Sequence, residues 1–465
     1  MKSSFVKKWK NMFKDNKLLV ASIFSVSVPT MIGMFFETTY DIINMAWVSR
    51  ISVDAVAAVT IFATLFMMLS IINDVIGASS LSIISRYYGS GNTKKTVEAI
   101  EQTIIFKFFL ALIFGIAASI FIEPILTPLA SNKEVLDQAV LFGRIRFLTL
   151  PLAFSSYTVN TALRCLGDAK KPLYILAFSS MLNAILDPIF IFERIPLIGL
   201  PGLNMGIAGA AWATVICQTI SFAIGLYILM SGRTKVTIAF KKGIKLVWDT
   251  DKRLLQVGWP SGIEGLMRNA ASYVIMGYIV SYGVDTVAAF GICSRVIMLI
   301  LMPVIGLEMG SSVIVGQKLG CNDKKAAEHA CYLTAALELG IMLVASTLIF
   351  ILPEPIMMIF TESENVIREG VLFMQVFAFA ALIAGPAFGM TSALFGAGHN
   401  KPSMIGTFLS TWVFQIPLIF LFSTVLHWSI FWVWTTYVIN YAVYFLVISY
   451  YVRKGDWLHV NHNEN

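Results

Sequence analysis

Twelve apolar blocks, each long enough for the ~20 residues that a bilayer crossing needs, follow one another along this chain with short polar loops between them. In lipid every backbone N–H and C=O needs a partner inside the protein, so a spanning segment is a helix or a strand of a closed barrel. The blocks lack the ~10-residue alternating segments of a barrel. They predict helices at about 18–48, 53–85, 95–122, 135–163, 172–192 and 205–231, then 254–281, 285–317, 326–352, 366–395, 402–426 and 429–452. The fold class expected is an all-α membrane protein of twelve transmembrane helices, here numbered span 1 to span 12.

Charge supports this. Only 13% of the 465 residues are charged, against roughly 25% in soluble domains. The net charge of +7 does not point to nucleic acid, because the basic residues sit in short loops. With the N-terminus inside, the termini and the even-to-odd loops hold 25 of the 34 Lys and Arg, and the opposite loops hold only Arg50, Lys133, Arg194 and Arg368. Five more (Lys107, Arg144, Arg146, Arg268 and Arg295) fall within spans. The positive-inside rule then places both termini in the cytoplasm of a cell (plasma or inner) membrane, and the acidic stretch Glu354 to Glu364 outside. The basic N-terminus runs into a full-length span with no small-residue cleavage site standing out, so no cleavable signal is expected. Cys165, Cys217, Cys293, Cys321 and Cys331 are odd in number and scattered, and read as free thiols. No histidine pair has the spacing of a metal ligand set, and no His, Asp or Cys cluster suggests an enzyme.

The second organising feature is a repeat. Residues 29–95 align with 260–326 at a constant shift of 231 without a gap. Pro29 meets Pro260, Val53-Asp54-Ala55-Val56-Ala57-Ala58 meets Val284-Asp285-Thr286-Val287-Ala288-Ala289, and Gly89 meets Gly320. The register holds to Gly167 against Gly398; one residue is then lost and Pro172 meets Pro402. Each half has six spans, hence the same topology, which predicts two pseudo-symmetric six-helix bundles around a central cavity. The expected lobes are 1–232 and 254–465, joined by a basic cytoplasmic connector, 233–253, with Trp248 at headgroup depth.

Span-buried acids are functional candidates, since a carboxylate in a bilayer is costly unless it faces protein or a water-filled cavity. Asp41 lies one turn from Glu37 in span 1, and Asp187 one turn from Asn183 in span 5, so each pair shares a helix face. Asp187 has a plainer role open to it, bonding the backbone group that Pro188 frees. The repeat sets Asp41 against Ser272, Glu37 against Arg268 and Gly33 against Glu264, so an acidic cation site is expected in the N-terminal half, with Asp41 and Asp187 sharing one coupling cation. Glu264 and Arg268 read either as an i,i+4 ion pair or as a polar patch on the cavity, where Glu37 would face Arg268. Asn73, Asp74 and Glu308 read as buried polar groups at helix contacts, and Arg295 as an anchor.

VDAVAAV, ISRYYGSGNTKK, ALRCLGDAKKP, LDPIFIF, GIAGAAWATVI, DTVAAFGICSRV, MPVIGLEMGSSVIVGQKLG and ALFGAGHNKP, in this order, resemble the multidrug and toxic compound extrusion (MATE) family over about 15–455. The resemblance implies antiport: H+ and/or Na+ enters while a small organic, usually cationic compound leaves. It implies no cofactor beyond the coupling ion, a lipid bilayer and no nucleic acid as surroundings, and a monomer. The chain is most similar to the DinF-like branch, which implies a cation site, with Na+ possible, at Asp41, Asn183, Asp187 and Thr214. It also implies a polar lining position at Asn160 and a helix bend at Pro29. Glu264 matches an acid of the NorM-like branch, whose span-10 acid is missing here. A flippase of the same superfamily, moving a lipid-linked or polyanionic substrate, is the alternative function; it would favour a strongly cationic cavity.

Overall fold

The computed structural model describes residues 17–460 apart from 197–198, 241–242 and 244. The basic residues among the first sixteen positions, and Lys241 and Lys242 of the connector, lie outside the described residues.

The fold is twelve helical spans in two six-helix lobes. Among the described residues, ten helices are long and apolar enough to cross a bilayer by themselves. Span 4 is a pair of shorter helices, Lys133–Leu148 and Leu150–Cys165, bent by 51°. Pro151 has no N–H for the Phe147 carbonyl, and its ring crowds that carbonyl, so the helix turns there. Span 3 accommodates the corner with Gly115, where a Cβ would lie 2.2 Å from the Phe147 oxygen. Span 7, Trp248–Val280, is a 33-residue helix. Its Asp, Lys and Arg residues at the start, and Glu264 and Arg268 within, set it apart from the ten apolar spans. Among the described residues there is no β-strand, only an isolated bridge between Arg194 and Pro201 in the loop after span 5.

The repeat is visible in the turns. Asn92 caps span 3 by accepting the Lys95 amide at 3.1 Å, and Asp323 caps span 9 by accepting the Ala326 amide at 3.1 Å. Before each cap stands a left-handed residue, Gly91 (φ 72°) and Asn322 (φ 61°), and both pairs are 231 apart.

The chain divides into two compact units. The N-unit is Ile32–Tyr88 with Asn92–Gln256; the C-unit is Val257–Asn465 with Gly89–Gly91 and the chain up to Met31. Span 1, Lys17–Val48, is one unbroken helix through Pro29, so the division falls two residues beyond that proline. Pro29 leaves the Ser25 carbonyl without its helical donor, which weakens the helix at this place.

Between apolar helices in lipid, shape complementarity replaces the hydrophobic drive. In the N-unit Phe62 packs edge-on to Phe142 at 5.0 Å and against Phe147 at 5.1 Å. In the C-unit Trp434 stacks on Phe290 at 5.8 Å and meets Phe373 at 4.4 Å. The first half of span 1 packs on a glycine groove of span 8, Val284–Gly320. A Cβ on Gly310 would lie 2.1 Å from Ser27 Oγ, and one on Gly306 3.0 Å from Met31 Cα. The Ser27 hydroxyl donates to the Leu307 carbonyl at 3.4 Å. In the N-unit the connector is held to span 3, Thr93–Leu126. Glu101 accepts the amides of Ala239 and Phe240, and Gln102 bonds Lys245 O and Val247 N, both at 2.9 Å.

Candidate functional site

Span 5, Lys170–Ile191, brings Asn183 and Asp187 together. Both are fully buried. One turn apart on the helix, they meet through Asn183 Nδ2 donating to Asp187 Oδ1 at 3.0 Å. Asn183 Oδ1 and Asp187 Oδ2 have no hydrogen-bond partner among the described residues. Two oxygens are thus left over in an apolar bundle, where an unfilled acceptor costs about 1–3 kcal/mol. Such a place favours a proton or a hard cation; softer metals prefer nitrogen or sulfur.

Thr214 of span 6 (Gly206–Met230) is 3% exposed and accepts from Asn44 Nδ2 of span 1 at 3.2 Å. The buried Tyr40 hydroxyl lies beside Thr214 and within electrostatic reach of Asp187 and Arg146. Asp41 and Glu37 of the same span are exposed. Asp41 acts electrostatically on Arg146, and Glu37 on Arg164. Arg146 donates to Gln218 Oε1 at 3.1 Å and covers the Phe66 ring at 5.6 Å. Asn160, on the second helix of span 4, is 4% exposed, with an unpartnered Oδ1. Sequence reasoning missed Tyr40, Asn44 and Arg146 as neighbours of this site. The i,i+4 spacing of Tyr40 and Asn44 was the available signal.

The C-unit carries a different construction. Arg268 and Glu264 form an i,i+4 ion pair at 2.7 Å, with the Glu264 side chain 4% and the Arg268 side chain 60% exposed. Glu264 also accepts from Ser403 Oγ at 2.7 Å and Thr407 Oγ1 at 3.3 Å. Because the Ser403 proton goes to Glu264, the Tyr444 hydroxyl donates to Ser403, 3.0 Å away. The repeat sets Asp187 against the stretch Gln415-Ile416-Pro417, which has no acid; Gln415 there is 3% exposed, and its Oε1 accepts from Asn440 Nδ2 at 2.8 Å. Gln415 ends a wide π-helical stretch of span 11, Phe408–Gln415. Ahead of Pro417 the Val413 carbonyl lacks its usual donor, which contributes to the irregular winding.

Two lobes of six spans, with polar groups buried in apolar helices, define a multi-pass membrane protein. The MatE family matches residues 29–189 and 260–421, and the chain belongs to it. The two matches begin 231 residues apart, which is the shift of the internal repeat. Curated relatives include "Probable multidrug resistance protein YoeA" of Bacillus subtilis, 27% identical over 432 residues and 92% of each chain. "Probable multidrug resistance protein NorM" of Thermotoga maritima is 24% identical, covering 86% of this chain and 84% of the relative. Among solved structures, a point mutant of the Vibrio cholerae MATE transporter VcmN has a TM-score of 0.87 at 19% identity, covering 96% of this chain and all of that one. An outward-facing multidrug resistance MATE transporter of the MOP superfamily has a TM-score of 0.82 at 23% identity, over 95% and 96% of the two chains. At these identities the structures show the fold alone.

Proposed function

We propose that the chain is a multidrug efflux antiporter that exports organic, mostly cationic compounds in exchange for H+ and/or Na+ by alternating access. The supporting observation is Asp187: fully buried, with one carboxyl oxygen held by Asn183 and the other unpartnered. The coupling ion binds there, with Asn183 and Thr214 supplying neighbouring oxygens. Asp41, exposed in the same unit, is the group from which the ion is exchanged. Glu37, Asn160 and Arg268 are the polar residues offered to substrate, with the buried Glu264 holding Arg268 through their ion pair. The chain acts as a monomer in the cell membrane with both termini cytoplasmic. In this reading Pro29 is where span 1 bends.

The energetics are adequate. An ionised Asp at the centre of a span costs ~2.5–3.5 kcal/mol on insertion scales. Each 1.4 kcal/mol is tenfold in an equilibrium, so filling or emptying the site biases two conformations by roughly 100-fold. A ligand shifts such an equilibrium only by its differential affinity for the two states, and a buried acid that changes its occupancy supplies that difference.

The test is dye transport in proteoliposomes under a pH gradient or a Na+ gradient imposed separately. Movement under either gradient, lost in Asp187→Asn, is the expected result and identifies the ion. Movement that persists at the same rate in Asp187→Asn overturns the assignment.

A further inference from the structure

The C-unit holds an acid that none of the preceding chemistry uses. Glu338, in span 9 (Lys324–Ile351), is 0% exposed, and neither carboxyl oxygen makes a hydrogen bond among the described residues. Its backbone carbonyl packs so closely on span 10 that a Cβ on Gly385 would come within 2.9 Å. Spans 8 and 9 run antiparallel and are joined by Ser311 Oγ and Thr334 Oγ1, 2.6 Å apart; Ser392 of span 10 approaches Ser311 at 3.1 Å.

This contact fixes the depth of two acids. Glu308 stands one turn before Ser311, and Glu338 one turn after Thr334. On antiparallel helices both steps lead the same way by about 5 Å. Glu308 and Glu338 therefore share a level on adjacent helices, and each lies within the other's electrostatic reach. Glu308 is half-buried and is also reached by Glu264 and Arg268 of span 7 and by Tyr444 of span 12. Around Glu338 the other titratable group is Cys331, two turns back on its own helix. The opposing stretch of span 10, residues 377–389, has no ionisable side chain.

The repeat shows that this pair is not a copy of anything in the N-unit. Glu338 falls opposite Lys107 and Glu308 opposite Gly77, both at the shift of 231. Lys107 is also 0% exposed with an unbonded ammonium, which sits over the Tyr157 ring at 4.9 Å and the Phe154 ring at 5.8 Å. The N-unit thus offers its buried cation two aromatic faces, whereas Glu338 has no cation and no donor. No cluster of three or more His, Cys, Asp or Glu suited to a metal occurs among the described residues. Glu338, sealed and without donors, has one ligand small enough to reach it and able to neutralise it, the proton.

We propose that Glu308 and Glu338 form a proton-binding pair in the C-unit, with Glu308 exchanging the proton and Glu338 storing it. The pair is separate from Asp41, Asn183 and Asp187, and does not depend on their role in antiport. Two acids this close titrate as one coupled system.

The experiment is infrared difference spectroscopy of the full-length protein in lipid, stepped from acid to alkaline pH. A carboxylic C=O band that disappears on alkalinisation, is absent in Glu338→Gln and survives in Asp187→Asn is the expected result. In Glu308→Gln the titration midpoint of that band moves by about one pH unit. An identical spectrum in wild type and Glu338→Gln overturns the proposal, as does a Glu338 band that never responds to pH. If Glu338→Gln does not accumulate as folded protein, an unmoved midpoint in Glu308→Gln overturns it. Failure of the antiport reading appears separately, as unchanged transport in Asp187→Asn.

Discussion

The two halves of this chain share one repeat and carry different polar groups along it. In span 5 an acid and an amide, Asp187 and Asn183, share one hydrogen bond and leave two oxygens open. Across the repeat the corresponding stretch Gln415-Ile416-Pro417 has no acid, and Gln415 accepts from Asn440 of span 12. In span 7 the acid Glu264 is surrounded by Arg268, Ser403 and Thr407, while its counterpart in span 1 is Gly33. A carboxyl whose acceptors are filled holds helices together. A carboxyl with an open oxygen is available to a ligand. The local count of donors, more than the presence of an acid, separates a structural site from a working one.

That contrast yields graded outcomes. The largest is for Asp187→Asn, where gradient-driven dye transport should fall by roughly 100-fold, following the cost of a buried charge, with little change in melting temperature. Loss of stability comparable to that of a core mutant would place Asp187 with the structural acids. Glu264→Gln should do the reverse. Losing a charge-assisted bond costs about 1.5–3 kcal/mol, seen as a lower midpoint in thermal denaturation in detergent, while transport persists. Abolished transport with unchanged stability would break the comparison.

The two amides sharpen it. Asn440→Ala leaves Gln415 without its donor and should cost about 1 kcal/mol of stability. Asn183→Ala, of similar structural cost, should show mainly as an altered ion dependence of transport. The smallest effect concerns the equivalent turns at Gly167 and Gly398, followed by Asp168 and His399. Asp168 pairs with Lys171 at 2.5 Å. His399 has its pKa pushed below the ordinary 6.5 by burial. The unfolded chain then binds the proton more readily, so stability is full above pH 6.5 and declines as pH falls through it. His399→Gln should flatten that decline in melting curves taken across the acid range.

Much of this was legible in the sequence. Apolar block length gave the spans, a gapless register gave the repeat, and i,i+4 spacing placed Asn183 on Asp187 and Arg268 on Glu264. Ser403, Thr407 and Tyr444 were not legible as partners of Glu264. A lone hydroxyl in an apolar helix carries no mark of which neighbour it faces. Glu338 escaped notice because burial on all sides is a tertiary property. The bonds from Asn440 of span 12 to Thr411 and Gln415 likewise join residues that no local pattern connects. Spacing read within one helix proved dependable, whereas facing between helices required the packed structure.

The glycine groove of span 8 also bears on how the protein is made. Ser27 is bonded to a carbonyl 280 residues later in the chain. At ~5–20 residues per second of synthesis, residues 17–31 leave the ribosome roughly 15–60 s before Gly306 and Gly310 exist. Residues 17–31 must therefore wait in the membrane without the groove that receives them until Gly310 has been translated.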